Sequence, residues 1–444
     1  MTELPNDKKF MREKIVRPKE TRSQKAGRFF CLVLCAVILG VVASVSFVVS
    51  LPFAKKYLGA ETTAQTVPIT IEKDAEPDTT AVMETMESTA PEEMLPEPET
   101  MPAIADEEDV REIVKEEMDE IEWTPEKIRE FQYAVTKLGT EADHSIVTVS
   151  SVKQQVDWFD NPVENTGQYA GVILAVNPAE IVILCGEQAV DQADSLRVVF
   201  HDGATAEGTV KKKDDVAGMA VISVAAENLS DFTRNQIKVM ELGNSYSVKN
   251  GDLVIAVGSP SGHVYSVKNG MVSYVAKGVQ TVDGQTRVFY TDVACSEEKG
   301  TFFLNLSGQL IGWATDIFRT EENAGETMIM PISEYKGVLQ KLGNGIDVPY
   351  LGIMGLEVSA SMQNEGLPKG IYITESIAEG PAYLAGIQNG DILTKIQGQE
   401  VLTIRDFQSK VEAMQSGVEI LVTIARKGID SYKEIEYRVI IGAR

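Results

Sequence analysis

The chain has 444 residues, too many for one hydrophobic core, so two or more domains are expected. Its formal charge of -25 excludes nucleic acid as a partner, since phosphate binding needs clustered Lys and Arg. Four cysteines and three histidines (His144, His201, His263), without any CxxC or Cys/His spacing, exclude a zinc site and call for no metal or other cofactor.

Residues 1–28 form a basic tail with nine Lys and Arg against four acids. The run that follows, "FFCLVLCAVILGVVASVSFVVSL" from Phe29 to Leu51, holds 23 residues without a charge or a proline. As a helix it is about 35 Å long, enough to cross a hydrocarbon core of roughly 30 Å. It exceeds the usual apolar region of a cleaved leader, and no clear small-x-small cleavage site precedes "PFAKKY". A single uncleaved membrane span is therefore expected over 29–52. The basic excess ahead of it keeps the tail in the cytoplasm and puts the rest outside, a single-pass protein of the cell membrane.

Residues 53–122 read as a linker. Between Tyr57 and Glu122 lie 21 acidic residues against 3 basic ones. A tract so rich in Pro, Thr and Glu buries too little apolar area to offset the cost of ordering its backbone, so extended disorder is expected. Val110, Ile113, Val114, Met118 and Ile121 recur at helical spacing near its end. A second helix is predicted from a Thr124 cap with Pro125 in its first turn. Its face is Ile128, Phe131, Val135 and Leu138, and Gly139 marks its end.

From Ser145 the pattern turns to short strands, among them "SIVTVSS", "YAGVILAV", "EIVILCG", "MAVISV" and "GDLVIAVGSP". Val/Ile/Leu-rich runs at this spacing, punctuated by Gly, Asp, Asn and Pro, predict an all-β barrel or sandwich domain. His201 and His263 read as loop residues.

The stretches "GDLVIAVGSPSG", "SVKNGMVSYV" and "VFYTDVACSEEKGTFFLNLSGQLIGWAT" resemble the second barrel of the HtrA/DegP serine proteases. The resemblance implies a trypsin-like double β-barrel over 123–345. It also implies where a Ser-His-Asp triad would fall. The histidine aligns with Gln188, the aspartate with Gly218, and the serine, in "CSEEKG", with Lys299 or Gly300. None of these side chains can shuttle a proton, orient an imidazolium or attack a carbonyl. On that ground no catalytic residue is expected and the chain is taken for no enzyme. The alternatives are an active serine-type endopeptidase with a rearranged site, such as Ser296 with Lys299, or a purely structural envelope protein. Two readings of Cys185 and Cys295 stay open: unpaired buried thiols, or a disulfide.

Residues 346–444 contain "GIYITESIAEGPAYLAGIQNGDILTKIQGQEVLTIRDFQSKVEAM", which is similar to a PDZ domain of the HtrA type. By that resemblance Tyr350, Leu351, Gly352 and Ile353 form the loop whose N–H groups hold a peptide's terminal carboxylate. A helix capped by Thr403 carries Phe407, Val411 and Met414 on one face, placed to line the peptide groove. The whole is expected to be mainly β: a trypsin-like double barrel, then a PDZ domain, preceded by one membrane helix and an acidic linker. Its expected partners are peptides or unfolded proteins with exposed C-termini, bound as scaffold, adaptor or chaperone. The resemblance further implies a homotrimer or a mixed assembly with an active relative.

Overall fold

The computed structural model describes residues 67–75, 124–156, 162–191, 193–321, 323 and 325–444. The basic tail, the expected span at 29–52 and the helical pattern of 110–121 lie outside the described residues. Among the described residues no helix is long and apolar enough to cross a membrane.

Helix α1 spans Pro125–Ala142, and the Thr124 hydroxyl accepts from the Lys127 N–H at 3.4 Å. It continues past Gly139, where the sequence places its end. That glycine serves close packing instead: a Cβ there would come within 2.7 Å of Val267. Only part of the expected face is buried, with Val135 at 8% exposure and Ile128 at 48%.

Two closed antiparallel barrels follow. The first is built from β1 (Ile146–Val156), β2 (Pro162–Val176), β3 (Glu180–Gly186), β4 (Ser195–Val199), β5 (Thr205–Asp214) and β6 (Met219–Ala225), in the order β1-β2-β3-β6-β5-β4. A short helix α2 (Asp231–Gln236) leads to the second. Its strands are β7 (Leu253–Gly258), β8 (Lys268–Thr281), β9 (Gly284–Thr291), β10 (Thr301–Leu304), β11 (Leu310–Thr315) and β12 (Thr327–Pro331), in the order β10-β11-β12-β9-β8-β7.

Strand β3 shows why the sequence runs apolar without alternation. Ile181, Ile183 and Cys185 fill the first barrel, while Val182 and Leu184 pack with Val257, Phe302 and Trp313 of the second. A strand buried on both faces has no polar side to alternate with. Helix α3 (Ile332–Gly343) adds Ile332, Tyr335, Val338, Leu339 and Leu342 to this shared core.

The C-terminal domain comprises β13 (Pro349–Tyr350), β14 (Ile353–Glu357), α4 (Ala360–Asn364), β15 (Ile371–Ser376), α5 (Pro381–Ala385), β16 (Ile392–Ile396), β17 (Gln399–Glu400), α6 (Ile404–Glu412), β18 (Glu419–Lys427), β19 (Tyr432–Ile440) and β20 (Gly442–Ala443). Strands β14-β15-β16-β18-β19 form one sheet, and β13 pairs with β20. The core is aliphatic apart from Phe407, with Ile353, Ile371, Ile373, Val422 and Ile424 at its centre.

Residues 67–75, expected to be disordered linker, instead run extended beside α3. The Ile69 N–H donates to Asn344 Oδ1 at 2.8 Å, and Asn344 Nδ2 donates to the Ile69 carbonyl at 2.8 Å. Asp74 accepts from Ser333 Oγ at 2.6 Å and pairs with Lys336 Nζ at 2.8 Å. The cause is local: Ile69 and Ile71 alternate with Thr70 and Glu72, giving one apolar side that packs on the shared core. Acidic composition alone overlooked that alternation.

Asn344→Ala removes both bonds to Ile69. The expected result is amide exchange at Ile69 accelerated by about tenfold or more, with the barrels' own protection unchanged. Unaltered exchange at Ile69 would show that the segment is held by other contacts.

Candidate functional sites: the crevice between the barrels and the carboxylate loop

The first site is a crevice between the barrels, a cavity of about 180 Å³. Gln188 reaches it from the single turn Glu187–Ala189 that follows β3. Gly218 enters from the β5–β6 connection at φ 62°, and its carbonyl accepts from the Glu187 N–H at 2.9 Å. The structure thus brings Gln188, Gly218 and Gly300 to one cavity. Lys299 turns away from it, with its ammonium 4.5 Å from the centroid of the Tyr169 ring. That contact commits the ammonium to the Tyr169 ring rather than to the cavity.

The turn before β10 is tightly held. Gly300 takes φ 83°, and a Cβ there would meet the Ala170 carbonyl oxygen at 2.4 Å. The Ala170 N–H donates to the Lys299 carbonyl at 2.8 Å, and Thr301 Oγ1 donates to the Ser296 carbonyl at 2.6 Å. The Gly300 N–H donates to the Glu297 carbonyl at 3.4 Å, so it points back into the turn rather than toward an incoming oxyanion.

The remaining walls are acidic, with Glu187, Asp215, Glu297, Glu298 and Asp316. Burial raises the Glu187 and Glu297 carboxyls above their usual range, against the pull of Lys213 on the first and Arg319 on the second. Lys213 Nζ bridges Glu187 at 2.7 Å and Asp215 at 3.2 Å. Sequence reasoning missed this lining, because its members come from four separate connections.

Both cysteines of the barrels are free. Cys185 is fully buried, its thiol pushed up to about 12 by burial, and Sγ donates to the Ala220 carbonyl at 3.7 Å. Cys295 is also raised by burial and packs on the core of the second barrel. Of the histidines, His144 and His201 lie together, ring centroids 4.7 Å apart, away from the crevice.

The second site is the loop ahead of β14. Leu351 is buried in the core, and Gly352 takes φ 83° with the Tyr350 ring beside it. Three successive N–H groups converge on a carboxylate belonging to this same chain, that of Asp283. Leu351 donates to Oδ2 at 2.7 Å, Gly352 to Oδ1 at 2.9 Å, and Ile353 to Oδ1 at 3.0 Å. Asp283 sits at the tip of the β8–β9 hairpin and is buried. Desolvation raises its carboxyl above the usual range, opposed by the three N–H bonds and by Arg444. No pattern in the sequence singled out this residue; "TVDGQ" reads only as a hairpin turn.

Helix α6 is capped as expected, with Thr403 Oγ1 accepting from the Asp406 N–H at 3.0 Å. Phe407 and Val411 are buried in the core of the domain, and Met414 packs against it. Val411 also borders a small cavity beside Val282 and Asp283.

Comparison with known proteins gives this geometry a context. The description "Trypsin-like peptidase domain" matches residues 170–312, and "PDZ domain" matches residues 372–426. The chain is 27% identical over 281 residues to Serine protease Do-like HtrB of Bacillus subtilis (strain 168), covering 58% of this chain and 59% of that one. It is 28% identical over 271 residues to Serine endoprotease DegS of Haemophilus influenzae, covering 60% and 75%. A solved structure of the HtrA-type protease AlgW with tripeptide shares the fold. Its TM-score is 0.50 at 20% identity, over 70% of this chain and 97% of that one. The match spans less than two thirds of the length of HtrB.

These relatives correct one expectation. The altered triad positions led to the reading that the chain is no enzyme, whereas its relatives are named serine proteases.

The thiols give a direct check. At pH 8 a group titrating near 12 is thiolate in only about one molecule in 10⁴. Cys185 is therefore expected to resist alkylation in the native protein. Both barrel cysteines are expected to react after unfolding without reductant. Labelling of neither barrel cysteine after unfolding would reveal a disulfide.

Proposed function

We propose, for a chain that carries a trypsin-like peptidase domain followed by a PDZ domain and has HtrA-type serine proteases as homologues, a role in envelope protein quality control. In this reading it binds the exposed C-termini of peptides and unfolded proteins through the PDZ domain. It does so outside the cytoplasm, tethered by residues 29–52. One observation carries the reading: the N–H groups of Leu351, Gly352 and Ile353 all point at a single carboxylate, within 3.0 Å of it. A row of backbone N–H groups beside an open strand suits capture of a peptide's last residue.

We further read the Ser-His-Asp triad as not kept at Gln188, Gly218 and Lys299 or Gly300, positions assigned by resemblance. A second reading, a serine-type peptidase, is favoured by the names of the relatives. Its chemistry needs a hydroxyl outside those positions, and Ser296, in the turn before β10, is the residue to test.

Two assays on the purified protein separate the readings. Peptide capture predicts that decapeptides with a free C-terminal carboxylate bind at least about tenfold more tightly than the same peptides as amides. Gly352→Val, which places a branched side chain at positive φ against Tyr350, is expected to abolish that preference. Equal affinity for acid and amide would contradict capture. Peptidase action predicts cleavage of a denatured protein that is lost in Ser296→Ala; absence of cleavage would contradict it.

A further inference from the structure

We propose that Asp283 is an in-chain ligand of the carboxylate loop, one that closes the PDZ peptide site until an incoming C-terminal carboxylate displaces the β8–β9 tip. The inference rests on the peptide-binding reading above.

The first argument is exclusivity. The carboxylate of Asp283 takes the N–H of Leu351 at 2.7 Å, of Gly352 at 2.9 and 3.1 Å, and of Ile353 at 3.0 Å. All three of these donors are engaged, and a second anion in the same nest would meet like charge at contact distance. Loop and hairpin tip, as arranged, hold one carboxylate.

The second argument is imitation. The Asp283 N–H donates to the Ile353 carbonyl at 2.8 Å. The residue therefore offers both a carboxylate to the loop and a backbone bond to the first residue of β14. The last residue of an added peptide strand would make the same two connections. Val282 and Val411 of α6 line the same small cavity beside Asp283.

The third argument concerns sequence. The turn needs a residue tolerant of positive φ at position 283, where φ is 58°. Glycine or asparagine meets that need without a charge, so turn geometry does not call for an acid. The acid is what the loop recognises.

Finally, apart from the close packing of Gly284 on Gln408 of α6, the tip's other hydrogen bonds are long. Thr374 Oγ1 reaches Gln280 at 3.4 Å, Arg444 Nη1 reaches the Val282 carbonyl at 3.4 Å, and Val282 is only half-buried. A peptide bringing its own carboxylate and further strand bonds would replace the strong hydrogen bonds that the tip gives up.

The test uses Asp283→Gly, which removes the carboxylate and keeps the turn, alongside Asp283→Asn, which keeps shape and φ. Circular dichroism and the unfolding midpoint establish that each variant is folded. The probe is a pool of decapeptides ending in valine, as free acids and as amides. Since apparent affinity scales with the open fraction, the free acids are expected to bind Asp283→Gly about tenfold or more tightly than the unaltered protein. Asp283→Asn is expected to fall between them. Binding of the free acids with equal affinity in all three overturns the in-chain ligand while leaving peptide capture intact. No binding by any of them overturns peptide capture and, with it, the competitive role of Asp283.

Discussion

The carboxylate of Asp283, gripped by the N–H groups ahead of β14, is the contact on which the joint between the second barrel and the PDZ domain turns. Its energetics are finely set. Removing a carboxylate from water costs several kcal/mol even in a relaxed protein. Hydrogen bonds to a charged group return about 1.5–3 kcal/mol each. Three such bonds and the nearby Arg444 oppose the desolvation of the buried carboxylate. Losing one partner alone would be costly, because the rest of the group would stay buried without compensation.

The crevice is governed by a different constraint. The two barrels share one core through β3, β10, β11 and α3, so the connections above that core are fixed relative to one another. Gly300 shows how tightly: its Hα side faces the Ala170 carbonyl, and no side chain fits there. What reaches the cavity is consequently set by a few connections, which here supply an amide, two glycines and a ring of carboxylates.

Legibility in the sequence followed the range of the interactions. The strands of both barrels and the cap of α6 were readable because each depends on residues close in sequence. The Thr403 cap is an example. Gly139 was misread because its reason is Val267, far along the chain, and a glycine near a helix end looks the same whether it terminates or packs. Residues 67–75 were misassigned because composition averaged over a long acidic tract hid the Ile69/Ile71 alternation. Asp283 was invisible, since nothing in a hairpin turn announces that its side chain will serve another domain 70 residues away from Ile353.

The most direct measurement is residue-resolved amide exchange of the purified protein, with and without a saturating free-acid peptide. The account predicts opposite changes on the two sides of one contact. Leu351, Gly352 and Ile353 stay protected because one carboxylate replaces another, while the Asp283 N–H, released from the Ile353 carbonyl, exchanges markedly faster. Peptide bound at saturation with Asp283 as protected as before would contradict it.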